Sequence, residues 1–276
     1  MCRWLAYSGS PIRLEELLLN RDRSLIDQSL HSRLGATTTN GDGFGVGWYD
    51  DGNNPRLYRT VHPAWNDRNL RELAGGISSH LFLSHIRSST GTAIQETNTH
   101  PFRYGRWLWV HNGLIREFPL LRRELVLAID DSLFTSIEGT TDSEAMFYLA
   151  LTFGLESDPI AAVERMVGFV EKTGRKHGVE HPLQMTIGTT DGQNVYAFRY
   201  SSEGDSRSLF YSTRMDALKA LYPENEALAA LSDESRVVVS EPLGDLAGAW
   251  NEVPDSHVGI IQPGADELRP FLPHQS

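Results

Sequence analysis

Alternating and periodic apolar positions divide the chain into short strands and grouped helices. Trp4, Leu5, Ala6 and Tyr7 form an aromatic and apolar run that predicts a strand packed from the start of the chain. Ser10 and Pro11 read as N-cap and first position of a helix carrying Leu14, Leu17 and Leu18. Residues 31–43 are polar and turn-rich, and strands are expected at 44–49 and 56–61. A short helix is expected at 67–74, and strands at 79–86 and 106–111. Between those two strands runs a long polar stretch rich in Thr; such a stretch inside a compact domain is usually functional. Helical periodicity returns at 118–128. Thr141 and Glu144 have the spacing of a capping box ahead of 145–151, and Asp158-Pro159 opens a helix to about Lys172. Asp191-Gly192 joins strands at 183–189 and 194–200 as a hairpin, and further strands are expected at 208–213, 236–240 and 258–261. Hairpin-paired strands with helices grouped between them predict an α+β fold with antiparallel sheets. One domain is expected over residues 1–262, followed by a tail at 263–276 containing Pro270 and Pro273.

Composition narrows the function. The chain has 276 residues, 40% of them hydrophobic, which supports a sizeable core and excludes a disordered or fibrous chain. Its 36 acidic residues outnumber 25 Lys and Arg, giving a net charge of −11, which argues against a nucleic-acid binder or an anionic membrane surface. No apolar run approaches a membrane span, and the first residues lack the apolar core of a secretory signal. A cytoplasmic location is therefore expected.

One cysteine is present, Cys2, so an intramolecular disulfide and a cysteine-based zinc site are both excluded. A frayed-end thiol is the ordinary reading, but the following strand would hold it in place. Were the initiator Met removed, Cys2 would carry a free α-amine beside its thiol. These groups ordinarily titrate near 7.7–8.0 and 8.5, so one residue can hold a nucleophile and its base. Other pieces of an acyl-transfer site sit at strand and helix ends. Asn112 and Gly113 can supply two donors to an oxyanion, or can be an Asn-Gly turn. Arg87 has the fork to grip a carboxylate, or forms a surface ion pair. Asp142 stands where a helix start favours negative charge and can also face an ammonium. Asn40 and Gly41 open a turn that leads straight into the strand at 44–49.

Taken together, Met1-Cys2-Arg3, Asn40-Gly41-Asp42-Gly43-Phe44-Gly45, His85-Ile86-Arg87-Ser88-Ser89-Thr90, Thr97-Asn98-Thr99-His100-Pro101-Phe102, Val110-His111-Asn112-Gly113 and Thr141-Asp142-Ser143-Glu144 resemble the class II glutamine amidotransferase family. The spacings agree as well: 13 residues from Arg87 to His100 and 12 from His100 to Asn112. Within the family the chain is most similar to small stand-alone bacterial members of the ergothioneine-pathway γ-glutamyl hydrolase type. The resemblance implies an N-terminal nucleophile (Ntn) hydrolase fold, a four-layer αββα sandwich. It implies that Cys2 is the nucleophile and its amine the base, with Asn112 and Gly113 as oxyanion hole. Arg87 would take the α-carboxylate of a glutamine-like substrate and Asp142 its α-ammonium; Thr90 and His100 would shape the pocket, and Asn40 and Gly41 would border the nucleophile. Two positions depart from the synthase members, which carry Arg where Thr39 stands and often His where Gly91 stands.

The activity so implied is cleavage of the γ-amide of glutamine or a γ-glutamyl compound through a thioester, with no cofactor and no metal. No P-loop motif occurs, which argues against an ATP-dependent synthetase partner domain in this chain. Direct hydrolysis and a glutaminase subunit feeding ammonia to a partner enzyme both remain open. So do a Cys–His hydrolase using His85, His100 or His111, and a non-catalytic γ-glutamyl metabolite binder.

Overall fold

Alternate side chains of the first strand enter different layers, and this alternation organises the molecule. The computed structural model describes residues 2–31, 39–50, 52, 54–89, 91–262 and 265–273. In chain order they begin with β1 (Arg3–Arg13), α1 (Glu15–Leu18), α2 (Leu25–Leu30), β2 (Phe44–Trp48), β3 (Arg56–Thr60), α3 (Arg68–Gly76) and β4 (Ser78–Ile86). Then come β5 (Phe102–Tyr104), β6 (Trp107–Ile115), α4 (Phe118–Leu127), α5 (Asp131–Phe134), α6 (Asp142–Thr152) and α7 (Pro159–Lys176). The chain continues through β7 (Leu183–Thr190), β8 (Val195–Ser201), β9 (Phe210–Ser212), α8 (Met215–Leu221), α9 (Glu226–Ala229) and β10 (Arg236–Val239). It closes with β11 (Trp250–Glu252), β12 (His257–Gln262) and β13 (Ala265–Pro270).

Two antiparallel sheets result. One has the order β11-β9-β10-β1-β4-β2-β3, the other β13-β12-β8-β7-β6-β5. Leu5, Tyr7, Phe82 and Ile86 turn outward from the first sheet onto Leu17, Leu25, Leu70 and Leu218 of its helices. Trp109, Met185, Ile187 and Phe198 turn outward from the second onto Leu121, Leu125, Met146 and Val167. The intervening positions, Trp4, Ala6, Leu81, Leu83, Leu108 and Val110, meet between the sheets. The period-2 pattern thus yields four layers, helix on sheet on sheet on helix, as the resemblance implied. Each fully buried aliphatic or aromatic side chain contributes roughly 1.5–3 kcal/mol, so the central cluster fixes the sheets against each other and the outer two fix the helices onto them.

Several local expectations are corrected. Ser10 and Pro11 lie inside β1, which bulges between Ser8 and Ile12 and then re-pairs Ile12 with Ser79 and Arg13 with Ser78. The strand partner overrides the capping signal, because a bulge tolerates proline where a regular ladder does not. His111, Asn112 and Gly113 stand within β6, paired with Ile187, Thr186 and Met185, so the Asn-Gly turn is absent. The expected boundary at residue 262 falls between paired strands: β13 aligns along β12 from Ala265–Gln262 to Pro270–His257. Its Asp266 also accepts an ion-paired hydrogen bond from Arg236 at 2.5 Å. The capping box at α6 is half formed. Thr141 Oγ1 accepts the Glu144 N–H at 3.2 Å, but the Glu144 carboxylate turns to the Glu138 and Gly139 N–H groups at 2.9 and 2.7 Å. Elsewhere the signals are realised: Asp158 caps α7, and Asp191-Gly192 turns the β7–β8 hairpin with Gly192 at φ +88°.

Candidate active site

The start of β1 is anchored from both sheets. Trp4 N–H donates to Ser240 Oγ at 3.1 Å, Ser240 N–H returns to Trp4 O at 3.0 Å, and the Trp4 indole donates to Thr186 Oγ1 at 3.0 Å on β7. Arg3 is buried and its guanidinium meets Glu241 Oε2 at 3.1 Å, with both side chains only 2% exposed. The same guanidinium donates to the carbonyl of Cys2 at 2.9 Å. A buried ion pair therefore grips the main chain of the candidate nucleophile. Reading the sequence alone did not pair Arg3 with Glu241.

Cys2 lies at the edge of the inter-sheet space. Its Sγ accepts the Ser88 N–H at 3.3 Å and faces Ser88 O at 3.5 Å. Burial pushes the thiol above its ordinary pKa, and the Ser88 amide and the Arg87 charge only partly offset this. The resting group is thus a thiol that needs a base, not a preformed thiolate.

Arg87 is 3% exposed, yet its hydrogen bonds go only to neutral oxygens: Thr92 Oγ1 at 2.8 Å, Ala93 O at 3.1 Å, Ser89 Oγ at 3.3 Å and Asp42 O at 3.4 Å. Among the described residues no carboxylate forms an ion pair with it. Asp42 instead spends its carboxylate on the Ser89 N–H at 2.7 Å. Asp42 acts on Arg87 through space only, so the cation is buried without a hydrogen-bonded carboxylate, a costly arrangement. The 40–43 turn fixes the loop that holds it: Asp42 N–H donates to Arg87 O at 3.1 Å, and Arg87 N–H to Gly43 O at 2.8 Å. Asn40 is buried and its N–H donates to Ser29 O at 2.7 Å.

Opposite charge comes from α6. Asp142 begins that helix, and its carboxylate accepts the N–H groups of Ile115 and Ser143, each at 2.8 Å. These bonds orient the carboxylate without neutralising it. On β6, Gly113 is obligatory, because an added Cβ would fall 2.0 Å from Gln184 O. The parity of β6 places Leu108 and Val110 between the sheets and Trp109 against the helices. Asn112 therefore shares the inter-sheet face.

Cys2, Arg87, His100, Gly113 and Asp142 all line one cavity of about 520 Å³, together with Thr92, Arg116 and Phe118. Asn112, Asn40 and Gly41 do not line it: Asn112 sits one residue from its wall, and Gly41 packs so closely that a Cβ would meet Trp65 at 2.7 Å. Thr90 lies outside the described residues. Two apolar cavities elsewhere, of about 90 and 80 Å³, lack this juxtaposition of charge.

Of three buried histidines, His100 and His111 line the cavity and His85 packs against them. His85 Nε2 donates to His111 O at 3.2 Å, the His85 and His100 rings stack at 4.1 Å, and His111 Nδ1 meets Ser143 Oγ at 2.7 Å. Burial drives His85 down to about 3 and His100 well below the usual range; His111 is lowered too, with Asp142 opposing. All three are neutral near pH 7. Among the described residues both Sγ hydrogen bonds go to Ser88, so none of these histidines is paired with the thiol.

A two-sheet sandwich with a cysteine at its second position, facing a cavity of paired opposite charges, is the arrangement of the Ntn-type amidotransferases. The family model described as glutamine amidotransferases class-II matches residues 19–269, and the chain belongs to that family. It is 32% identical to the probable glutamine amidotransferase DUG3 of Saccharomyces cerevisiae, across 99% of this chain and 85% of the relative. It is 28% identical to the gamma-glutamyl-hercynylcysteine sulfoxide hydrolase of Mycolicibacterium smegmatis, across 94% of each chain. A solved glutamine aminotransferase class-II domain protein from Silicibacter pomeroyi superposes with a TM-score of 0.75 at 34% identity, covering 99% of this chain and 100% of that one. Among the described residues no helix is long and apolar enough to cross a membrane.

Proposed function

We propose that this chain is an N-terminal cysteine amidohydrolase that cleaves the γ-amide of glutamine or of a γ-glutamyl compound through a γ-glutamyl thioester. The observation that carries this reading is the single cavity holding the Cys2 thiol, the Arg87 cation, which has no ion pair among the described residues, and the oriented Asp142 carboxylate. A glutamyl group presents an α-carboxylate and an α-ammonium at a fixed separation from its γ-carbonyl, matching two opposite charges and one nucleophile. The mycobacterial relative is named as a γ-glutamyl hydrolase, which supports hydrolysis as the outcome.

In this mechanism Met1 is removed and the Cys2 α-amine takes the thiol proton as sulfur attacks the γ-carbonyl. The oxyanion rests on the Asn112 amide and the Gly113 N–H. Collapse breaks the γ C–N bond, and the leaving nitrogen takes the proton from the Cys2 α-ammonium. Water activated by the freed Cys2 α-amine then cleaves the thioester, releasing glutamate and restoring the thiol. The α-amine is the fitting base because the buried histidines are tuned too low to accept a proton near neutrality. The test is release of glutamate from γ-glutamyl substrates by the purified protein and by a form with an extra residue blocking the Cys2 amine. The blocked form is expected to be inactive; equal activity in both would refute the amine as base.

A further inference from the structure

The two charged groups assigned to the glutamyl end belong to different halves of the sandwich. Arg87 follows β4 of the first sheet, whereas Asp142 opens α6, whose Met146 packs with the second. One buried amide joins them from behind. Asn98 is wholly buried at the end of a short 3₁₀ turn, Glu96–Asn98. Its Nδ2 donates to Ala93 O at 3.0 Å and to Thr140 Oγ1 at 3.2 Å, and its Oδ1 accepts the Thr140 N–H at 2.8 Å. The Ala93 carbonyl is the one that also receives the Arg87 guanidinium at 3.1 Å. Thr140 leads through Thr141, the cap of α6, directly to Asp142. A continuous chain of contacts therefore runs from Arg87 through Ala93, Asn98 and Thr140 to Asp142.

The chemistry at position 98 is narrowly specified. One neighbour offers a main-chain carbonyl and the other a main-chain N–H, so the side chain between them must donate and accept at once, as a primary amide does. An aspartate would set an oxygen against Ala93 O, and an alanine would break both links. The two loops also meet closely: a Cβ at Gly139 would fall 2.5 Å from Asn98 Oδ1 and 2.7 Å from Thr97 O. From its other side the Glu144 carboxylate holds the same loop by the Glu138 and Gly139 N–H groups. Asn98 is not among the residues lining the cavity, so whatever it does there it does through Arg87 and Asp142.

The α-carboxylate and α-ammonium of a glutamyl group hang from one carbon, so the side chains that meet them must stand at one separation. We infer that Asn98 is a positioning residue that sets the separation of Arg87 and Asp142, and that it thereby makes the site select ligands carrying both charges on one carbon. This rests on the assignment of Arg87 and Asp142 in the preceding section. A loosened pair still attracts either charge singly. A held pair favours both together, because its side chains are ordered before the ligand arrives.

The experiment measures binding by calorimetry to the Cys2→Ala protein, in which turnover does not interfere. The ligands are L-glutamine, 4-carbamoylbutanoate, which lacks the α-ammonium, and 4-aminobutanamide, which lacks the α-carboxylate. Glutamine is expected to bind most tightly. N98A is expected to weaken glutamine about tenfold, the scale of re-ordering one loosened charged side chain on binding, and each single-charge compound less than twofold. T140V removes one bond to the same amide and keeps the main-chain N–H; it is expected to show the same selective loss at two- to threefold, and it carries the test if N98A does not fold. In the protein with Cys2 intact, N98A should raise KM for a γ-glutamyl substrate with kcat little altered. An equal loss for all three ligands, or an unchanged preference for glutamine in both variants, overturns the Asn98 assignment and leaves the glutamyl site intact. Glutamine that binds no better than the single-charge compounds before any change at Asn98 refutes the glutamyl site itself, and the role of Asn98 with it.

Discussion

Two buried arginines stand beside Cys2, and their surroundings differ in one respect. Arg3 is closed by Glu241 at 3.1 Å, whereas Arg87 reaches only hydroxyl and carbonyl oxygens. Burial is nearly the same, 1% and 3% exposed, so burial does not separate a structural arginine from a binding one. The hydrogen-bonded carboxylate does. Arg3 is ion-paired with Glu241 and bonds the Cys2 carbonyl; Arg87 has no ion pair among the described residues, and in the proposed reading it meets a substrate carboxylate in the cavity it shares with Cys2.

The largest effect expected is at the sulfur that both arginines serve. Cys2→Ala should lower turnover by about 10⁴-fold or more, since the proposed mechanism makes this residue both nucleophile and carrier of the base. Its thermal unfolding midpoint should stay close to wild type. Substantial residual activity would remove the reason for comparing the arginines at all.

Next come the arginines themselves. Arg87→Gln should cost about 10²–10³ in kcat/KM, the scale of a lost charge-assisted clamp, while leaving stability equal or higher because an unpaired buried charge is gone. Glu241→Gln should do the reverse, destabilising by about 3–5 kcal/mol in denaturant unfolding because it strands Arg3. If both variants lose stability equally, the distinction drawn here is wrong.

Acid should act on the buried histidines at the cavity. The folded-state pKa of His85, about 3, lies below the ordinary 6.5, and that of His100 is lowered as well. Groups depressed in this way stabilise the fold fully above about pH 6.5 and progressively less as pH falls towards 3. Each buried histidine then costs about 1.4 kcal/mol per pH unit within that window. Denaturant unfolding between pH 7 and 5 should show this slope, and H85N should flatten it. A stability profile flat through that range would mean these rings are solvated.

The smallest effect is expected at Ser143, which joins Asp142 to His111. Ser143→Ala loses one hydroxyl contact worth about 0.5–1.5 kcal/mol, so KM for a γ-glutamyl substrate should rise several-fold with kcat little altered. A selective fall in kcat would instead give Ser143 a part in the chemistry.

Much of this architecture was legible where local chemistry and tertiary context agree. Asp158 and Thr141 cap their helices as expected, and Asp191-Gly192 turns its hairpin. Ser10-Pro11 misled because the same residues suit a helix start and a strand bulge, and the partner β4 decided between them. The short strands β11 and β13 carry little apolar alternation; they form by pairing their main chains at sheet edges, which sequence pattern does not record. In the site, Cys2, Arg87, His100, Gly113 and Asp142 were found by motif and do share a cavity. The pairing of Arg3 with Glu241 was not, because the two residues lie 238 positions apart and meet only in the fold.

The central claim is that a Cys2 freed of Met1 attacks a γ-carbonyl held by Arg87. Intact-mass spectrometry after treatment with an electrophilic diazoketone analogue of glutamine tests it most directly. The predicted result is a chain lacking Met1 and carrying a single adduct on Cys2, absent from Cys2→Ala and strongly slowed in Arg87→Gln. Retention of Met1 on a protein that still hydrolyses γ-glutamyl amides, or an adduct that forms equally well without Arg87, would contradict it.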